Sequence, residues 1–454
     1  MNNIQLEQQL NSFHISERKE ALKKLISSGI PKIGSSENVN MHIHSFFSFN
    51  AEGWSPSRIA WEYAKHGLFA VGIIDFDVMD GLLEFQEAGE NLGIRTSVGI
   101  ETRAYLTEFA DKEIDSPGEP GVSYITAGGF AKVFQSGSPQ KNTLDIYRKT
   151  ADERNMALIG RINPNVSEIA IDYKNDVIPL TPSGNATERH IISAYINKAV
   201  EKFKNTADLE KYWSSLLGKS MEEIKKLTGN RPSLEEIVRA RFAKKGGFGY
   251  VQPTSTTFPR VEEFFAWAKS CDAIPMESWL DGTSEGESDP VKLLELSCSK
   301  GAAALNIIPE RNWNISDPEK KKVKIANLFK IVEIANKMQL PMHVGTEMNK
   351  LGQPVVDDLN GPVLKDFKQD FLTGARIFVG HSVLTRFADF PYSGLHAESR
   401  FHGDMKAKNH FFESVGKLSP VNTQIAEKLR NAGLKKTYDL LSDSVVKNKW
   451  IIQE

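Results

Sequence analysis

Three apolar runs follow one another in the first quarter of the chain, and each ends in a carboxylate or an imidazole. They read Met41-His42-Ile43-His44-Ser45, then Val71-Gly72-Ile73-Ile74-Asp75-Phe76-Asp77, then Val98-Gly99-Ile100-Glu101. Between the first two, Ser55 and Pro56 open a helical pattern that runs to His66 and stops at Gly67. Proline in the first turn and glycine just past the end are the expected punctuation of a helix. Between the second and third, Asp80-Gly81 opens a pattern from Leu82 to Asn91 that stops at Gly93. Repeated strand–helix–strand units of this kind predict an α/β fold with neighbouring parallel strands. In such barrels the carboxyl ends of the strands carry the chemistry.

Alternate residues of a strand point to one face, so His42 and His44 project together, about 6.5–7 Å apart. Two neutral imidazoles so placed can share a metal ion at about 2.0–2.1 Å each. Glu101 and one of Asp75 or Asp77, also at strand ends, would add oxygen ligands. A lone His-x-His pair is a weak signal; its place in the three-strand rhythm gives it weight.

The segment 39–101 resembles the opening of a PHP domain, the polymerase and histidinol phosphatase superfamily of metal-dependent phosphoesterases. That family begins H-x-H-S-x-x-S-D-G, continues with a strand ending T-D-H-D, and then one ending G-x-E. Here these stand as His42-Ile43-His44-Ser45-Phe46-Phe47-Ser48-Phe49-Asn50, Ile74-Asp75-Phe76-Asp77 and Gly99-Ile100-Glu101. The departures carry equal information. The acidic residue after the second His is Phe49 or Asn50, and the His of T-D-H-D is Phe76. The family's His on the next strand has its nearest counterpart within Ser123–Gly128. A later A-H-P strand is matched by Gly249-Tyr250-Val251-Gln252-Pro253, and the closing G-S-D-x-H by Gly345-Thr346-Glu347-Met348-Asn349.

The resemblance therefore implies metal ligands at His42, His44, Glu101, Gln252, Glu347 and Asn349, with Asp75 and Asp77 as catalytic carboxylates. This set is oxygen-rich, which favours Mn²⁺, Mg²⁺ or Fe²⁺, with Zn²⁺ still admissible. One ion is the more natural reading than the family's cluster of two or three. A pocket that has kept its polar residues and lost the metal is the alternative.

Composition sets the class. The chain has 454 residues, 40% apolar and 25% charged, as expected for a globular protein with a large core. A formal net charge of −2 argues against a dominant nucleic-acid surface. Two cysteines are too few for a disulfide framework. Glu17-Arg18-Lys19-Glu20 breaks any apolar run near the start, so no signal peptide is read, no span approaches membrane length, and a cytoplasmic location is expected.

Residues 1–37 read as a helical segment ended by Gly29 and Pro31, 38–385 as the barrel, and 386–454 as a C-terminal helical extension. Residues 107–122 read as a loop. Residues 187–245 are polar and helical, an insertion placed to overhang the site as a lid, with Gly246-Gly247 as its hinge; a packing or oligomer contact is the plain alternative. Strand signals resume at 248–252, 273–277, 303–308 and 341–347, with a helix over 319–337.

Further polar groups at strand ends or on the insertion form a candidate substrate-binding set. Glu277 ends a strand and Asp281 follows in a polar loop, where a helix cap explains it equally well. Arg311 could grip an anion bidentately or tie two loops together. His343 precedes Glu347 and should face the pocket wall; His381 follows an apolar strand-like run; His190 sits on the insertion. For each histidine a structural role competes with a chemical one.

The expected fold is thus a distorted (β/α)7 TIM-like barrel of PHP type with a helical insertion and terminal helices. The resemblance implies a metal-dependent hydrolase, a phosphoesterase acting on a small phosphorylated molecule through an activated water. An amide or sugar hydrolase on the same barrel, and a metal-free ligand-binding protein, are the alternatives. The oligomeric state is left open.

Overall fold

The computed structural model describes residues 2–29 and 36–451; Pro31, expected to help end the N-terminal helices, lies outside them. Seven strands form one sheet in sequence order: β1 (Val39–Ile43), β2 (Ala70–Phe76), β3 (Arg95–Tyr105), β4 (Val122–Gly128), β5 (Ile274–Trp279), β6 (Ala304–Ile307) and β7 (Met342–Val344). The strands are apolar runs because helices or the barrel interior cover both faces, and β1, β5, β6 and β7 are buried at every position. The sheet closes beyond β7, where the His44 amide donates to the Glu347 carbonyl and the Glu347 amide to the His42 carbonyl, each at 2.8 Å. Gly345 permits this approach: a Cβ there would fall 2.4 Å from the His42 nitrogen.

The alternation is not wholly parallel. β1, β2 and β3 run together and so do β5, β6 and β7, but β4 is antiparallel to both neighbours, with Tyr105 opposite Val122 and Gly99 opposite Gly128. The loop over residues 106–121 returns the chain at the carboxyl rim, and a hairpin-like return reverses the strand.

Helices α1 (Asn3–Gln9) and α2 (Ile15–Ser28) pack through Leu6, Leu10, Leu22 and Leu25 on α3 (Pro56–Lys65) and α4 (Leu82–Leu92). Ser55 caps α3 by accepting from the Arg58 amide, and Gly93 ends α4 in the left-handed region, as the sequence spacing required.

Because β4 points the other way, it ends at the amino-terminal rim. Helix α5 (Pro139–Ile162) starts near that rim, and its 24 residues span about 36 Å, enough to reach the opposite one. There the chain builds α6 (Glu188–Lys202), α7 (Thr206–Leu217), α8 (Met221–Thr228) and α9 (Arg231–Ala243), which share an apolar cluster containing Ile162, Tyr195, Trp213 and Phe242. The expected strand at 248–252 does not form, because this stretch is the irregular return from α9.

Helices α10 (Val261–Ser270), α11 (Pro290–Lys300), α12 (Glu310–Trp313) and α13 (Pro318–Lys337) alternate with β5 to β7. Helix α14 (Lys368–Ala388) closes the amino-terminal mouth of the barrel. Gly374 lies where a Cβ would meet the Met342 carbonyl at 1.8 Å, and Phe378 packs edge-on against His343 with centroids 4.7 Å apart. Helices α15 (Leu395–Phe401), α16 (Met405–Lys417) and α17 (Thr423–Val446) complete the carboxyl end, α16 and α17 packing on α14. Among the described residues no helix is long and apolar enough to cross a membrane.

Candidate metal centre and its cavity

His42 and His44 on and just after β1 face Glu101 of β3 inside the barrel. One ligand atom from each of the three lies within 4.8 Å of the others, and all three residues are buried. His42 Nε2 stands 3.3 Å, and His44 Nε2 3.2 Å, from the same Glu101 Oε2. None of these three atoms makes a hydrogen bond of acceptable geometry. Three buried polar atoms left without partners and aimed at one point are costly unless something else satisfies them. Burial raises the Glu101 carboxyl, but the two imidazoles, when protonated, outweigh it and hold it down at about 2.

The far nitrogens fix the two rings. With Asn306 Oδ1 as acceptor, His42 donates from Nδ1 at 3.0 Å, which leaves its Nε2 lone pair facing Glu101. His44 Nδ1 lies 3.1 Å from Ser48 Oγ, and that hydroxyl donates to Asp75 Oδ1 at 2.6 Å. Both histidines thus sit in the tautomer a cation would need, each held by a polar neighbour behind it. The donor set fits a divalent ion: two imidazoles, a carboxylate and convergent unpartnered atoms.

The remaining expected residues divide by position. Asp75 accepts from the Ser45 amide, the Ser45 hydroxyl and the Ser48 hydroxyl, and so anchors the loop after β1. Asp77 does face the cavity, at φ 55°, with Thr102 Oγ1 donating to its Oδ1 at 2.6 Å. Burial raises its carboxyl, against the lowering pull of Arg154. Glu347, at φ 60°, lines the cavity and accepts from Arg311. Two non-glycine residues in the left-handed region at the ends of β2 and β7 are the kind of strain that gathers at functional sites. Asn349 lines the cavity as well. Gln252 is exposed on the irregular 248–252 stretch and accepts from Tyr250 at 2.7 Å, so it stands at the cavity edge and not at a strand end.

Of the expected substrate groups, only Arg311 lines the cavity. His190 caps α6, accepting from the Thr187 amide at 3.1 Å, and burial pushes its imidazole down to about 4. Glu277 points out of the barrel toward Ser297 of α11, since alternation turns Ser278 inward instead. Asp281 pairs with Lys324 at 2.6 Å and with Thr283. His343 donates to Asn306 Oδ1 at 3.1 Å below His42, where burial and His42 hold it well below its ordinary value. His381 lies within α14, not after a strand; its Nδ1 accepts from the Tyr392 amide, and Nε2 sits 3.0 Å from the Gly129 carbonyl.

The cavity measures about 910 Å³ and is walled by both barrel and insertion. Eight arginines and lysines line it against six aspartates and glutamates, a local excess of positive charge in a chain whose net charge is −2. Arg103 carried a sequence signal, since it follows Glu101 by two and must share its face. Arg154 and Asn185 carried none. Asn185 donates from Nδ2 to the Phe47 and Phe76 carbonyls, each at 3.0 Å, tying the segment before α6 to the loops that hold the triad.

No family model matches the chain. The error-prone DNA polymerases of Mycobacterium bovis and Mycobacterium tuberculosis are each 33% identical over 94 residues, which is 20% of this chain and 8% of the polymerase. The chain is also similar to the crystal structure of a proposed metal-dependent phosphoesterase from Bifidobacterium adolescentis, at 16% identity and TM-score 0.46, covering 74% of this chain and 98% of that one. An amidohydrolase from Chromobacterium violaceum, solved with sulfate and no metal, is 13% identical at TM-score 0.45, covering 73% and 96%. The chain resembles PHP-domain proteins in its first three strands and has the seven-stranded barrel that this resemblance implies.

Proposed function

We propose that the protein is a metal-dependent hydrolase acting on a phosphate ester. The observation that carries this reading is the convergence of the unpartnered His42 Nε2, His44 Nε2 and Glu101 Oε2 atoms beside a cavity that His42 and Glu101 line and that carries excess positive charge. A divalent ion held by these residues would supply a Lewis acid for a phosphoryl oxygen and acidify a water. Asp77 is the carboxylate placed to take up a proton from that water, because Asp75 is fully engaged by Ser45 and Ser48. Arg311 holds Glu347 in place and adds positive charge to the wall on which an anionic substrate would rest.

Helix α5, the segment before α6 and, from the insertion, the start of α6 and the end of α9 together wall the cavity above the barrel. That arrangement suits exclusion of bulk water during hydrolysis.

The test is a panel of phosphate monoesters, phosphodiesters and N-acyl amides, run on chelated protein with Mn²⁺, Mg²⁺, Fe²⁺ or Zn²⁺ added back. Hydrolysis of a phosphate ester that needs the added ion supports the reading. Amide turnover with no phosphate-ester turnover would replace it.

A further inference from the structure

The cavity holds a second constellation beside the triad. Phe258, buried on the way to α10, has two guanidinium groups over its ring: the Arg103 carbon lies 4.3 Å and the Arg154 carbon 4.8 Å from the ring centroid. Arg103 comes from β3, about 7 Å along the strand from Glu101 on the same face. Arg154 comes from α5 and reaches Asp77 Oδ2 only at 3.9 Å, and its bond to the Thr257 carbonyl is long, at 3.5 Å. Asp77 in turn is fastened to β3, its amide donating to the Glu101 carbonyl at 3.0 Å. Both arginines therefore stand next to the triad.

Stacking on an aromatic ring occupies the face of a guanidinium and leaves its in-plane N–H donors for hydrogen bonds. Arg103 uses part of its fork on Glu119 at 3.1 Å. Arg154 has no acceptor at close hydrogen-bond distance among the described residues. Two like charges held on one ring, with Asp77 and Glu119 as their partial counterweights, would be poor design for stability alone. They are well suited to an anion that brings two negative charges and several acceptor oxygens.

The geometry points to Arg103 and Arg154 as an anion clamp for a terminal, dianionic phosphoryl group, so that the substrate is a phosphate monoester and helix α5 takes part in selecting it through Arg154. This rests on the phosphoesterase reading for the reaction, but not for the binding. The clamp would grip the phosphoryl oxygens; a diester, with one negative charge and a second carbon substituent, would forfeit part of that contact.

The test is calorimetric binding of inorganic phosphate to the full-length, metal-loaded protein, alongside turnover of monoester and diester substrates. Arg154→Ala should weaken phosphate binding about 10- to 100-fold, with Arg154→Lys between it and wild type, because a lysine restores charge without the fork. The same variant should lower kcat/KM for monoesters more than for diesters. Circular dichroism and thermal melting establish that both variants fold; if Arg154→Ala does not, Arg154→Lys and Arg103→Lys carry the comparison. Phosphate binding as tight in the folded variants as in wild type would overturn the clamp, as would wild-type protein that binds no phosphate. If phosphate binds in an Arg154-dependent way while no phosphate ester is hydrolysed, the clamp stands and the phosphoesterase reading falls.

Discussion

The ring of Phe76 stacks on the imidazole of His44, with centroids 4.6 Å apart and planes 20° from parallel. The stack steadies a metal-ligand candidate, and it fills with carbon a position where PHP domains carry a histidine. A phenyl ring donates no lone pair, so the site is limited to the ligands that His42, His44, Glu101 and the nearby oxygens provide. Phe76→His should place a new nitrogen beside His44. After chelation and re-addition, elemental analysis is expected to show more ion bound per chain than wild type, or a preference moved toward Zn²⁺. Unchanged stoichiometry and unchanged preference would contradict the assignment of Phe76 as the lost ligand.

Asn306 lies behind His42 and receives its Nδ1 proton at 3.0 Å. Asn306→Leu removes that acceptor and frees the ring to turn. Outer hydrogen bonds of this kind are worth about 10–100-fold in metal affinity. Competition against a chromophoric chelator should show a loss in that range while the far-ultraviolet spectrum stays the same. Full affinity in the variant would mean that packing alone orients His42.

Asn185 ties the segment that leads into the insertion to the loops that hold His42, His44 and Glu101, through the Phe47 and Phe76 carbonyls. Its loss leaves two carbonyls without a donor, a cost of about 1–3 kcal/mol for each if it stays buried. Asn185→Ala is expected to speed proteolysis within residues 163–187 and to raise KM, with metal affinity little changed. Cleavage at the wild-type rate would show that the insertion is held by other contacts.

Much of the barrel was readable from short-range signals. Ser55, Pro56, Gly67 and Gly93 act within a few residues, so the first three strands and two helices follow from local chemistry. The direction of β4 does not: a strand that reads Val122–Gly128 looks the same either way round, and only the pairing with Tyr105 and Gly99 sets it. Helix α5 hid because it is half-exposed and polar, with only Leu144, Ala151, Ile159 and Ile162 buried. The opposite error came at His381, where apolar residues on all sides mark a buried helix, α14, and not a strand. Within the site, His42, His44 and Glu101 were visible from strand alternation and the family motif. Arg154 depends on a helix contributed from far along the chain, which no local pattern could place.

Glu277 provides a pH signature independent of the metal site. Burial, its largest influence, pushes the carboxyl up to about 8 against the lowering effect of the Ser297 hydroxyl. In the unfolded chain the group titrates near 4.5. Between those values the folded state holds the proton more tightly, so its contribution to stability is full below 4.5 and is lost as pH rises toward and past 8. The slope is at most about 1.4 kcal/mol per pH unit. Thermal melts of wild type should therefore fall relative to Glu277→Gln as pH is raised from 6 to 9, because glutamine stays neutral throughout. A gap between the two proteins that does not change with pH would refute the buried-acid assignment.

The account turns on three convergent atoms, and bound metal is its most direct measure. Full-length protein, chelated and then reloaded with Mn²⁺, Mg²⁺, Fe²⁺ or Zn²⁺, is analysed for metal content alongside His42→Ala/His44→Ala. The prediction is roughly one ion per chain in wild type, favouring a hard divalent cation, and none retained by the double variant. Full occupancy in the double variant, or wild-type protein that takes up none of the four ions, would contradict it.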